Sequence, residues 1–165
     1  TGVQTMNHFR IGSGYDAHRF AEGRPLILCG VTVPYDRGLA GHSDADAAAH
    51  ALTDALLGAL ALGDIGKMFP DSDERFRGAD SIVLLKRAFA RPEFAEWSIS
   101  NIDITIVAQR PKIPPSTAAM RERIAEALGI AAGQVSIKGK TTEGMGFCGR
   151  GEGVETYATV LLERK

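Results

Sequence analysis

The chain has 165 residues, 44% of them hydrophobic and 24% charged, ordinary values for a globular protein long enough to bury its own core. Its 19 Lys and Arg against 20 Asp and Glu leave a formal charge of −1, so composition offers no electrostatic attraction for nucleic acid. Two cysteines, Cys29 and Cys148, stand far apart in sequence, which fits a reducing compartment and argues against a disulfide scaffold or a thiolate zinc site.

Residues 1–8 read as an N-terminal extension or tag remnant before a single domain over 9–165. Phe9–Tyr15 (FRIGSGY) alternates and predicts a strand that its glycines loosen toward the end. That strand delivers Asp16 and His18, which share a face because i and i+2 of an extended segment point the same way. Leu26–Val33 is a second β-rich segment, ended by Pro34, and Gly38–Gly41 reads as a flexible approach to a long helix.

That helix is the centre of the pattern. Ser43 suits its N-cap, Asp44 and Asp46 its first turn, and Gly63 its C-terminal stop. Ala and Leu run nearly all round it, so it should be buried. Asp46, His50 and Asp54 nevertheless recur at i, i+4, i+8 on one face. Such a stripe is either a solvated helix edge or a set of groups that a partner such as a metal satisfies.

Downstream, Ser81–Ala90 predicts an amphipathic helix capped by Asp80 and ended or kinked at Pro92. Ile99–Ala108 alternates as a strand, and Gln109–Pro115 is a proline-rich loop of fixed shape. Thr117–Leu128 is a helix closed by Gly129, Val135–Lys138 a short strand, Thr141–Gly153 a glycine-dense loop and Val154–Leu162 the last strand. The order β-β-α-α-β-α-β-β predicts an α/β two-layer sandwich, a mixed sheet with helices on one face. No apolar run reaches the ~18 residues of a membrane span, and the N-terminus lacks a signal-peptide layout, so a cytoplasmic protein is expected.

Three clusters carry candidate chemistry. Asp16, His18 and His50 offer two imidazoles and a carboxylate, a set that suits Zn²⁺ and leaves a position open for substrate or water. Asp64-Ile65-Gly66 and Phe69 to Asp73 alternate carboxylates with turn residues, fitting either Asx-type turns or recognition of a polyol. Lys138, Lys140, Thr141, Thr142 and Glu143 fit a phosphate site with a hard cation such as Mg²⁺ at Glu143, or a solvated strand end. Phe147 and Arg150 lie in a glycine-permitted turn that either binds an anion or simply exposes the arginine. Ala108 to Pro114 has the rigidity to present backbone groups to a flat ring.

The motifs GYDAHRF, GHSDAD with HALTDALLGALALGDIGKMFPDSD, IVAQRPKIP, KTTEGMGF and GRGEG together resemble the 2-C-methyl-D-erythritol 2,4-cyclodiphosphate synthase family, from Ile11 to Glu163. The resemblance implies a homotrimer with active sites at subunit interfaces and Zn²⁺ on Asp16, His18 and His50. It implies a flap with His42 and Ser43 over the substrate, His42 assisting the transition state. Asp64, Ile65, Gly66, Phe69, Asp71 and Asp73 belong to the motif that meets the methylerythritol part. Ala108, Lys112, Ile113 and Pro114, with Lys140, Thr141 and Thr142, would hold the cytidine diphosphate, Thr141 steadying the transition state. Lys140 stands where many relatives carry a small hydroxyl residue. Glu143 would ligate Mg²⁺ or Mn²⁺ between the phosphates. Phe147 and Arg150 would border the substrate and an axial cavity able to take an isoprenoid diphosphate. The implied reaction is cyclisation of 4-diphosphocytidyl-2-C-methyl-D-erythritol 2-phosphate with loss of CMP. Some relatives are fused to a cytidylyltransferase domain. A zinc-dependent phosphohydrolase and a non-catalytic trimer that binds isoprenoid diphosphate are the alternatives.

Overall fold

The structure, a computed structural model, describes residues 8–165; the N-terminal extension expected over residues 1–8 lies, His8 apart, outside them. In chain order the elements are β1 (Phe9–Ala21), β2 (Leu26–Leu28), β3 (Val31–Val33), β4 (Gly38–Leu39), α1 (Ala47–Ala59), α2 (Ile65–Met68) and α3 (Ser81–Phe89). They continue with β5 (Trp97–Val107), α4 (Thr117–Leu128), β6 (Val135–Lys140), α5 (Gly146–Gly149) and β7 (Gly153–Arg164).

A five-stranded mixed sheet has the order β4-β1-β7-β5-β6, with β5 and β6 parallel and the other pairs antiparallel. The expected mixed α/β architecture is present. The C-terminal ends of β1, β5 and β6 therefore meet at one end of the sheet. Alternation sets its two faces: Ile102, Ile104 and Ile106 of β5 and Val154, Ala158, Val160 and Leu162 of β7 are buried against the helix layer. Leu52, Leu56 and Leu57 of α1, Ile82 and Leu85 of α3 and Met120 of α4 fill that layer, and each such side chain contributes about 1.5–3 kcal/mol through burial. The other face leaves Phe9, Ile11, Tyr15 and Tyr157 at 57%, 70%, 48% and 48% exposure. Cys29 and Cys148 are both free and buried. Among the described residues, no helix is long and apolar enough to cross a membrane.

Several boundaries differ from the sequence reading. The glycines of β1 do not loosen it, since the strand runs on to Ala21. They seat α1: a β-carbon at Gly14 would lie 1.8 Å from Ala51 O, and one at Gly12 would lie 1.8 Å from Ala55 O. Two residues of strand and four of helix both advance about 6–7 Å, so this antiparallel register continues and brings Asp16 level with the first turn of α1. The Thr156 hydroxyl bridges the same level, within 2.8 Å of Ala47 O and 3.3 Å of Asp16 O.

Asp46, not Ser43, caps α1, and no acidic residue lies in its first turn. The fully buried Asp46 carboxylate accepts from Ala49 N of α1 and from Cys29 N and Gly30 N. Those two residues have φ of 53° and 70°, the left-handed turn that breaks the expected second strand into the β2–β3 hairpin. The C-terminal stop is Ala61 at φ 57°, with Ala61 N bonded to Gly58 O and Leu62 N to Leu57 O; Gly63 turns the chain only afterwards. Gly38–Leu39 pairs with β1 instead of forming a flexible lead. Asp80 caps α3 as expected, and Pro92 opens a 3₁₀ turn beyond its end.

Candidate active site

Asp16, His18 and His50 converge at the open end of β1. Their ligand atoms lie within 4.8 Å of one another. Side chains on a helix tilt toward its N-terminus, so His50 reaches back to the level of Asp16. Asp46 and Asp54, on the same stripe, do not join the cluster: backbone N–H groups satisfy Asp46, and Asp54 accepts from Ile65 N at 2.7 Å.

The ring partners assign the tautomers. His18 Nδ1 donates to Ala40 O at 2.7 Å, which leaves a lone pair on Nε2, 2.8 Å from Asp16 Oδ2. The Ser81 hydroxyl donates to Asp44 Oδ1 and so accepts from His50 Nε2 at 2.7 Å. His50 Nδ1 then turns its lone pair to the same Asp16 Oδ2, at 3.1 Å. Two imidazole lone pairs against one carboxylate oxygen require protons or a cation between them. With both outer nitrogens committed, the donor set fits a divalent metal. Without a metal, protons fill the gap. Burial pushes the Asp16 carboxyl up, but hydrogen bonds from His18 and His50 outweigh it and bring it to about 2. Burial works against charge on His18, and the Asp16 carboxylate overcomes that and raises its pKa.

This cluster walls a pocket of about 200 Å³ that also includes His42, Ser43, Ile65, Gly66, Phe69 and Asp71. Asp64 and Asp73 are not among its lining residues. Asp64 accepts from Lys67 N to cap α2, and Asp73 holds the backbone and guanidinium of Arg75. Both are therefore engaged in local turns, although Asp73 also offers its carbonyl to His42 Nε2 at 3.3 Å.

A second pocket, about 610 Å³, lies at the ends of β5 and β6. Ala108, Lys112, Ile113, Pro114, Lys140 and Thr141 line it. Gly139 allows the proline-rich loop to settle there, because a β-carbon would come within 2.5 Å of Ile113 Cβ. Thr142 is not in its lining; its hydroxyl bonds to Met145 O. Glu143, at φ 53°, accepts from the Thr141 hydroxyl at 2.9 Å. Phe147 lines a third hollow beside His18 and Phe20, and Arg150 pairs with Glu152 at 3.0 Å.

Sequence reasoning missed Ser81, which orients His50, Phe76 and Leu84, which line the pocket beside Asp16, His18 and His50, and Tyr35, which lines the second one. Tyr35 is about seventy positions from the proline-rich loop it faces, and no spacing rule could have connected them.

Residues 9–163 match the YgbB family. The chain is 56% identical over 156 residues to the 2-C-methyl-D-erythritol 2,4-cyclodiphosphate synthase of Paraburkholderia xenovorans, covering 94% of this chain and 98% of that protein. It is 58% identical to the synthase of the same name from Moorella thermoacetica, covering 93% and 94%. Among solved structures, the IspF–CDP complex of Plasmodium falciparum superposes with a TM-score of 0.84 at 35% identity, covering 98% of this chain and 99% of that one. The bifunctional IspDF of Campylobacter jejuni gives a TM-score of 0.91 at 43% identity, covering 95% of this chain, which spans 42% of that longer protein. With matches over nearly its whole length, the chain belongs to the YgbB family, that of the 2-C-methyl-D-erythritol 2,4-cyclodiphosphate synthases.

Proposed function

We propose that this chain is a metal-dependent phosphorus–oxygen lyase that closes 4-diphosphocytidyl-2-C-methyl-D-erythritol 2-phosphate on itself in non-mevalonate isoprenoid precursor synthesis. An oxygen of the 2-phosphate attacks the β-phosphorus, the bond from that phosphorus to the bridging oxygen breaks, and CMP leaves with the electron pair. The observation that carries this reading is the convergence of Asp16, His18 and His50 on a small pocket, in a chain 56% identical to a synthase of that name.

Phosphoryl transfer needs positioning and charge neutralisation more than a covalent nucleophile. The Asp71 carboxylate accepts hydrogen bonds from the methylerythritol hydroxyls, the Gly66 N–H donates to them, and Ile65 and Phe69 shield them from water. His42 and Ser43 close over the reacting phosphates. The larger pocket takes the cytidine, with Lys112 and Lys140 neutralising its phosphates and the Thr141 hydroxyl turning from Glu143 to donate to them. Zn²⁺ on Asp16, His18 and His50, and Mg²⁺ or Mn²⁺ at Glu143, would supply further charge neutralisation at the diphosphate.

We infer a homotrimer with interfacial sites from two observations. First, His18 and Lys140 sit at the same end of the sheet on strands separated by β7 and β5, so about 14 Å of sheet divides the two pockets. A neighbouring copy can bring its nucleotide pocket to this chain's metal pocket. Second, the face with Phe9, Ile11, Tyr15 and Tyr157 is more apolar than an isolated subunit would leave in water. Three such faces would enclose an axial cavity able to take an isoprenoid diphosphate.

Following phosphorus by NMR during turnover tests the activity. A cyclic diphosphate and CMP support it, whereas linear monophosphates would establish the phosphohydrolase instead. Metal analysis of the same sample should give one Zn²⁺ per subunit.

A further inference from the structure

The segment Gly41 to Ala45 has no regular secondary structure, yet it carries His42 and Ser43. Three successive carbonyls in it find partners outside the segment. Gly41 O accepts from Arg24 Nη1 at 2.8 Å, His42 O from Gly78 N at 2.8 Å, and Ser43 O from Arg24 Nη2 at 2.6 Å. One guanidinium thus spans the two carbonyls that flank His42. Its own backbone is fixed as well: a β-carbon at Gly38 would come within 2.6 Å of Arg24 O and 2.4 Å of Pro25 O, so the turn after β1 rests directly on β4.

We propose that Arg24 is a positioning residue of the active site, a clamp that sets the backbone of the His42–Ser43 flap over the reacting phosphates. This rests on the function proposed above. The planar fork of arginine can hold two carbonyls at once, and its hydrogen bonds are charge-assisted. A lysine keeps the charge but cannot span both carbonyls in a fixed geometry. The flap has no helix or strand ladder of its own, so the orientation of His42 depends on these carbonyl bonds together with the bond from Asp44 N to Ala79 O and that of His42 Nε2 with Asp73 O. Ser43 Oγ contacts His50 Nε2 at 3.2 Å, which ties the flap to the metal cluster at its far end. The near end depends on Arg24.

The test compares Arg24→Ala and Arg24→Lys with the parent in kcat, KM, zinc content and CDP affinity by calorimetry. Displacing catalytic groups by an ångström can lower a rate up to about a hundredfold. Arg24→Ala should lose at least about tenfold in kcat with KM, zinc and CDP affinity near parental values, and guanidinium below denaturing concentration should restore part of the rate. Arg24→Lys should fall between Arg24→Ala and the parent, and it carries the test if Arg24→Ala fails to fold. A parental kcat in either variant overturns the proposal. So does loss of zinc or CDP binding in step with activity, which would make Arg24 a general structural support. Failure of the underlying function looks different: the parent itself would then yield no cyclic product and bind no CDP.

Discussion

Replacing Gly14 with alanine tests how the metal cluster is assembled. The new β-carbon would stand 1.8 Å from Ala51 O, 2.8 Å from Ala51 C and 2.9 Å from Ala55 N, all helix backbone that no rotamer change can move aside. Ordinary contact begins near 3.4 Å, so α1 has to withdraw by about 1.6 Å. His50 moves with it, and the withdrawal is half of its 3.1 Å separation from Asp16 Oδ2. One of three ligands would leave the cluster. Overpacking of this kind costs typically about 1–3 kcal/mol, or more where backbone meets backbone. For a chain of this size that corresponds to a fall in Tm of about 3–9 °C. Gly58→Ala is the matched control. It lies on the same helix, and its β-carbon would meet only Ser13 O at 3.8 Å. It should gain about 0.5–1 kcal/mol, the usual advantage of Ala over Gly inside a helix. Thermal unfolding with metal analysis of both proteins decides the matter. A Gly14→Ala protein with parental Tm and full metal content would refute the argument that strand glycines set the position of His50.

Further outcomes follow from the same geometry. In metal-free protein the Asp16 carboxyl is held near 2 despite burial, by its bonds to His18 and His50, so its contribution is present above the ordinary carboxyl range and disappears as pH falls from about 4 to about 2. Asp16→Asn should lower Tm at pH 7 by an amount set by roughly 2 kcal/mol, and the gap to the parent should close over that acid range. A gap independent of pH would show that the carboxylate's charge is irrelevant. Ile11→Lys puts a charge into the open sheet face at a position 70% exposed in the single chain. Sedimentation should show it as monomers without turnover but with the ligand triad unaltered; an active monomer would eliminate the interfacial site. Glu143→Gln should abolish Mg²⁺-dependent turnover while zinc stays at the parental level, and loss of zinc there would mean that the two sites are one.

The chain announced its strands and helices most clearly where periodicity and chemistry agreed. Ile102, Ile104 and Ile106 alternate and lie in β5, and Asp80 caps α3. It misled where one residue type serves two purposes. Ser43 and Asp46 are both good caps, and only the position of the β2–β3 turn decides for Asp46, whose carboxylate is needed by Cys29 N and Gly30 N as well. Gly12 and Gly14 look like weak points of a strand, but in the fold they are the contact surface for a helix.

By itself the sequence determined the local inventory: an alanine-rich helix able to pack closely, a strand carrying Asp16 and His18 on one face, a rigid proline loop and a glycine-dense turn. Those depend on propensities and spacings within a few residues. The meeting of His50 with Asp16, the recruitment of Ser81 and Arg24, and the separation of the two pockets across the sheet were decided by tertiary structure. Each depends on distances between segments remote in sequence, which packing of α1 on β1 and the strand order set and no local pattern encodes.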